Sequence, residues 1–152
     1  MPSAWRIVKA RRAKRAFDGE GARLFGGRWT RVGRPAVYVS GSIALAALEL
    51  LVHLNDARPL AAYALFEVAI PDALITQIDA ARLPSNWSDF PAPAQLPMIG
   101  QRWLEGSTSL ALCVPSAIVK VEFNYVLNPR HPDFAKIVIG PQQPFEMDPR
   151  LL

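Results

Sequence analysis

The chain has 152 residues, 51% of them apolar and 20% charged, with a net charge of +4. That supplies one buried core and is too apolar for a disordered chain. The lone cysteine, Cys113, excludes an intrachain disulfide, and the longest apolar run, 43–54, is broken by Glu49 and His53, short of the ~18 uncharged apolar residues of a membrane span.

Residues 5–10 alternate weakly and read as a first strand. Lys9, Arg11, Arg12, Lys14 and Arg15 then crowd together. Such a run suits nucleic acid or a phosphorylated ligand, and it equally suits a solvated loop. Nothing in this N-terminal stretch joins an apolar segment to a small-residue cleavage site, so no secretion signal and a cytoplasmic location are expected. Glycines 19, 21, 26 and 27 mark loops or close backbone approach.

Val32-Gly33-Arg34-Pro35 is a turn signal ahead of a short strand over 36–39. Ser40, Gly41 and Ser42 offer N-caps to a helix over 43–54. That helix is apolar on nearly every face, which predicts burial. Asn55-Asp56-Ala57-Arg58-Pro59 ends it, and a strand over 63–70 follows, broken by Pro71 and Asp72.

Residues 83–97 hold Pro84, Pro91, Pro93 and Pro97 with Trp87 and Phe90, and read as a long irregular loop. Loops of that length are usually functional or cover something. A short helix over 98–104 stops at Gly106. Strands over 109–114 and 117–123 flank a break at Pro115 and Ser116. Residues 128–132 form a turn, and a last strand over 137–139 is joined by 145–147. Many short strands with few helices predict a single α+β domain. There is no internal repeat.

Glu49 is the sharpest anomaly, because burying a bare carboxylate costs several kcal/mol. It must be paired, hydrogen-bonded or protonated, unless the helix is half exposed after all. His53 lies four residues on and so shares its helix face, where it is either a partner or an ordinary helix-end histidine. Arg28 follows Gly26 and Gly27. Its fork suits phosphate oxygens, and a surface arginine in a turn is the plain alternative. Tyr38 offers a ring for stacking or for core filling. Ser116 sits at a strand break, where turn or capping hydroxyls are common. Two histidines and one cysteine far apart make no metal-ligand spacing, and Cys113 among apolar neighbours reads as an inert buried thiol. Dinucleotide, phosphate-loop and nucleophile-elbow motifs are missing.

In chain order, Trp5-Arg6-Ile7-Val8, Gly26-Gly27-Arg28-Trp29, Val37-Tyr38-Val39-Ser40 and Leu48-Glu49-Leu50-Leu51-Val52-His53 are followed by Val114-Pro115-Ser116, Asn124-Tyr125-Val126-Leu127-Asn128-Pro129 and His131-Pro132-Asp133-Phe134. In this order and spacing the chain resembles the RES-domain family, named for an arginine, a glutamate and a serine. The likeness runs nearly end to end, as a single RES domain over 1–152.

The resemblance implies an ADP-ribosyltransferase-like β core flanked by helices. It implies a toxin of a toxin–antitoxin system that degrades NAD⁺ at the nicotinamide–ribose bond, passing ADP-ribose to water or phosphate. NAD⁺ is then a consumed substrate, and no cofactor or metal is expected. The implied partner is a helix-turn-helix, Xre-like antitoxin whose C-terminal part blocks the site. A homodimer within a larger toxin–antitoxin complex is implied, with DNA reached only through the antitoxin and no membrane. The family's arginine, tyrosine, glutamate and serine fall on Arg28, Tyr38, Glu49 and Ser116, with His53 and Asn124 as further pocket positions. In this picture Glu49 stabilises the developing sugar cation, Arg28 grips the pyrophosphate and Tyr38 stacks on the nicotinamide side. Ser116 and His53 hydrogen-bond to the substrate or position Glu49. Thr30 departs from the family, where asparagine often follows this tryptophan. Two other readings compete: an ADP-ribosyltransferase acting on a host protein, and a nucleic-acid-binding module built on the basic cluster, which leaves Glu49 unexplained.

Overall fold

The computed structural model describes residues 1–54 and 62–151. The expected turn at 55–59 lies outside the described residues. Among these, one sheet organises the chain, in the order β4-β5-β6-β2-β1-β3-β7. Its strands are β1 (Ser3–Lys9), β2 (Val37–Ser40), β3 (Tyr63–Ala69), β4 (Ile75–Gln77), β5 (Ala111–Pro115), β6 (Phe123–Leu127), β7 (Val138–Ile139) and β8 (Gln143–Phe145). β8 shares the outer edge of β3 with β7, and only the β4–β5 pair is parallel. The expected α+β class is what forms.

Alternation along the strands makes two faces. Val37 and Val39 turn one way, into a core with Ala4, Val68, Ile70, Ala111 and Leu127. Full burial of a side chain of this size contributes about 1.5–3 kcal/mol. Tyr38 and Ser40 turn the other way, and two helices lie on that side. α2 (Ile43–Val52) packs Ala46, Ala47, Leu50 and Leu51 onto Trp5, Ile7 and Leu65. α3 (Gln95–Gly106) packs Leu96, Trp103 and Leu104 onto Leu112, Val114 and Val126.

The centre of the sheet is nearly split. β2 meets β6 through four residue pairs but meets β1 only at Trp5 and Ser40. Beyond that point Arg6 substitutes for the ladder: its Nη1 donates to the Tyr38 carbonyl at 2.8 Å. Burial pulls this guanidinium down to about 10, against the upward pull of Asp18, so it remains a charged donor at neutral pH.

Several elements depart from the expectations. α2 is not a buried helix: only Leu45 and Ala46 are buried, while Leu48 and Val52 are 37% and 58% exposed. It lies on the sheet by one face, and nothing among the described residues covers the other. Its N-cap is Ser42, whose Oγ accepts from the Leu45 N–H. α1 (Glu20–Phe25) forms where glycines predict a loop. Asp18 accepts the first N–H, from Glu20, and Gly26, at φ 71°, closes the helix. α3 begins inside the expected proline-rich loop. Pro97 stands in its first turn, where an N–H has no intrahelical acceptor to lose.

The strand expected over 117–123 starts only at Phe123. The Ser116 hydroxyl accepts the N–H groups of Ile118 and Val119, which wraps those residues into a turn. The final strands are Val138–Ile139 and Gln143–Phe145, so Glu146 and Met147 lie outside the ladder. The basic cluster forms a 3₁₀ turn, Ala10–Arg15, that buries no residue.

Candidate active site

Glu49 sits on the sheet-facing side of α2, half-buried. Its surroundings are less greasy than its sequence neighbours suggest. Oε1 accepts two hydrogen bonds, from Ser116 Oγ at 2.9 Å and from Asn124 Nδ2 at 2.8 Å. These donors come from the end of β5 and the start of β6, 67 and 75 positions away along the chain. Of the options open to a carboxylate in an apolar helix, the fold uses hydrogen bonding. Among the described residues, Oε2 has no partner.

Each donor is fixed in turn. The Ser116 oxygen accepts from Ile118 and Val119, so its one proton is directed at Glu49. Asn124 Oδ1 accepts from Ser40 Oγ at 2.7 Å. Ser40 lies directly opposite Asn124 in the β2–β6 register. The polar group therefore fills the seam between the apolar cluster under α2 and the one under α3. A second tie holds the helix above it: Ser42 Oγ donates to Glu122 Oε1 at 2.9 Å.

Arg28 is placed by a tight hairpin. Gly27 and Thr30 exchange backbone hydrogen bonds at 2.9 and 3.3 Å, which puts Arg28 and Trp29 at the tip. The Trp29 ring is buried and anchors the turn. Tyr38 holds it from below: the phenol oxygen accepts the Trp29 N–H at 3.2 Å and shares a 2.8 Å hydrogen bond with Thr30 Oγ1. A Cβ on Gly27 would lie 2.5 Å from that phenol oxygen. A Cβ on Gly100 of α3 would run into the Trp29 carbonyl. The glycines thus serve packing of the turn, between Tyr38 and α3.

Burial pushes the Tyr38 phenol up to about 12, although Thr30, Trp29 and the Arg28 charge all pull it down. It is a neutral hydroxyl at physiological pH. Tyr38 and Ser40 are two residues apart on one strand face, roughly 7 Å. The arginine turn and the carboxylate therefore rest on the same side of the sheet, joined by β2.

Arg28 itself is partly occupied. Nη1 donates to the carbonyls of Trp87 and Asp89, at 3.0 and 2.9 Å, in the proline-rich loop. That loop is docked on this arginine, with Leu83, Trp87 and Ala92 packed on the α3 cluster. His53 stands apart: it is the exposed C-cap of α2, and no side-chain hydrogen bond joins it to Glu49 among the described residues. Cys113 is buried as expected, and burial pushes its thiol upward. No cluster of potential metal ligands occurs among the described residues, and no described helix is long and apolar enough to cross a membrane.

The sequence pattern presents Ser40 as a helix cap and does not single out Arg6 or Thr30 as site residues. A hydroxyl two residues after Tyr38 on an alternating strand is the signal that places Ser40 on the same face.

The chain is similar to known proteins in sequence and in fold. The RES domain family model matches residues 3–148. The chain is 42% identical over 149 residues to Toxin Res of Yersinia enterocolitica, covering 97% of each. It is 38% identical over 156 residues to the Prs ADP-ribosylating toxin of a Sphingobium species, covering 99% of this chain and 96% of that one. The toxin–antitoxin complex MbcT–MbcA of Mycobacterium tuberculosis contains a chain of the same fold, with a TM-score of 0.76 at 21% identity, covering 98% of this chain and 85% of that one. With a family match over nearly its whole length and relatives of this similarity, the chain belongs to the RES-domain family of toxins.

Proposed function

We propose that this toxin breaks the bond between nicotinamide and the ribose C1′ of NAD⁺. The observation that carries the reading is the Glu49 carboxylate: among the described residues its two donors both lie on Oε1, and Oε2 is unpaired. As the bond breaks, its electron pair moves to the nicotinamide nitrogen and cancels the charge there. The sugar becomes oxocarbenium-like, and an ionised carboxylate nearby stabilises it. Water then adds at C1′ and releases a proton, or phosphate adds in its place. Glu49 Oε2 faces the ribose, either its cation or a hydroxyl. Arg28 turns Nε and Nη2, unpaired among the described residues, to the pyrophosphate. Tyr38 acts by holding the arginine turn, with its ring beside the nicotinamide end. Ser116 and Asn124 orient Glu49, and His53 lines the exposed rim. NAD⁺ is consumed, and the residues named supply the chemistry without a metal or further cofactor.

A second reading keeps the bond cleavage and changes the acceptor to a protein side chain. The similarity to a toxin named for ADP-ribosylation favours it. For the partner, the shared fold with a chain of a toxin–antitoxin complex supports an antitoxin. We take it to be an Xre-like helix-turn-helix protein that closes the site and carries the toxin, as a dimer, to DNA.

The test is nicotinamide release from NAD⁺ by the purified protein and by Glu49→Gln. A fall of roughly 100-fold or more is expected, the scale of losing one electrostatic stabiliser. Undiminished release rejects the role. Dependence on added phosphate separates phosphorolysis from hydrolysis. Labelled NAD⁺ in a cell lysate leaves labelled protein only if a protein is the acceptor.

A further inference from the structure

We propose that Ser40 is a positioning residue: its hydroxyl anchors the far end of the Asn124 amide while the amide nitrogen donates to Glu49, and this holds the carboxylate with Oε2 toward the substrate. The assignment deepens the NAD⁺-cleavage reading and rests on it for its functional consequence.

An ionised carboxylate only accepts, so Asn124 must offer it Nδ2. The amide is planar, and that choice aims Oδ1 the opposite way, at Ser40. The 2.7 Å contact is satisfied only if Ser40 donates. The accept-only carboxylate selects which end of the amide faces it, and the Ser40 proton, spent on Oδ1, holds the amide in that orientation. Were the amide reversed, its oxygen would meet the carboxylate oxygen, and both would be repelled. Ser40 is 5% exposed, so solvent offers little substitute for its hydroxyl. It is also the one residue of β2 that pairs with both β1 and β6, at the point where the central strands part, so its own position is well determined.

Ser116 cannot take over this function. Its oxygen already accepts two backbone N–H groups and its proton already goes to Oε1. Without Ser40, Asn124 Oδ1 loses its partner, the amide that donates to Oε1 is free to turn, and the carboxyl group gains freedom to rotate about the Ser116 bond. Packing would be little changed, because serine and alanine differ by one oxygen. A purely structural role predicts a stability loss alone. A positioning role predicts a change in how Glu49 titrates and reacts.

The experiment follows the Glu49 carboxyl carbon by ¹³C NMR across a pH titration, with its signal assigned by Glu49→Gln. It is run on the wild type, Ser40→Ala, Ser40→Thr and Ser40→Cys. A hydrogen bond to the charged form favours that form, so loosening the Asn124 donor in Ser40→Ala is expected to move the Glu49 titration upward from the wild type. Ser40→Thr, which keeps a hydroxyl, is expected to return toward it. In parallel, kcat for NAD⁺ falls about tenfold in Ser40→Ala with KM nearly unchanged, and threonine restores it. Should Ser40→Ala fail to fold, Ser40→Cys carries the test, since a thiol is a weak donor of similar size.

An unshifted Glu49 titration in folded Ser40→Ala or Ser40→Cys overturns the assignment, as does a shift that threonine fails to reverse. If the wild type leaves NAD⁺ intact, the reaction assignment falls while the titration still decides the role of Ser40.

Discussion

The Ser116 hydroxyl donates to Oε1 of Glu49 across 2.9 Å, and this contact ties the end of β5 to the middle of α2. The same oxygen accepts the N–H groups of Ile118 and Val119. One hydroxyl therefore closes a turn and points a carboxylate.

Ser116→Ala should consequently damage stability and activity together. Ser116 has no solvent exposure, so the two N–H groups lose their acceptor where water does not readily replace it. The expected cost is about 1–3 kcal/mol, the penalty for leaving buried polar groups unpaired. Urea titration measures it. A stability equal to that of the wild type would mean that the turn is held by other means.

The Gly27 turn and Tyr38 should behave as one unit. The φ of Gly27 is not in the left-handed region, so alanine is tolerated there by the backbone itself. The strain comes from the phenol oxygen, 2.5 Å from the added Cβ. Gly27→Ala is expected to lose about 1–3 kcal/mol, as for overpacking. Adding Tyr38→Phe should recover part of that loss, because the nearest clashing atom is gone. A double-mutant cycle with no coupling would refute the contact.

Arg28→Ala should act at two places. It removes the fork proposed for the pyrophosphate, so KM for NAD⁺ rises tenfold or more. It also removes the donor to the Trp87 and Asp89 carbonyls, so amide hydrogen exchange should quicken across 84–94. Melting temperature should change little, because Arg28 is half exposed. Unaltered exchange in the loop would show that the latch is unimportant.

Tyr38 should leave a mark on stability at alkaline pH. Its folded pKa, about 12, lies above the ordinary phenol value of 10. The contribution of the neutral phenol is thus fully present below pH 10 and is lost as pH rises from 10 through 12. The measurement is the stability difference between the wild type and Tyr38→Phe. It should be flat below that window and shrink within it. A difference that stays flat through the window would contradict the burial of the hydroxyl.

Periodicity and turn chemistry made much of the fold legible. The β-branched and aromatic run at Val37–Ser40 forms a strand, and the apolar run after Ser42 forms α2. Errors fell where a side chain competes with the backbone or a breaker is harmless. The Ser116 hydroxyl bends 117–121 away from an extended path, and Pro97 enters a helix through its first turn.

Glu49 announced itself locally, as a charge among leucines and alanines that had to find a partner. That demand is a property of the amino-acid string, since the cost of a bare carboxylate does not depend on the route the chain takes. Which groups answer the demand does depend on it. Asn124 and Ser40 meet because β6 pairs with β2 in one register, and a slip of β6 by one residue would put Asn124 on the face opposite Ser40. The exposure of Leu48 and Val52 was likewise settled by the fold, because a helix lying on a sheet by one face leaves its other side uncovered whatever its composition.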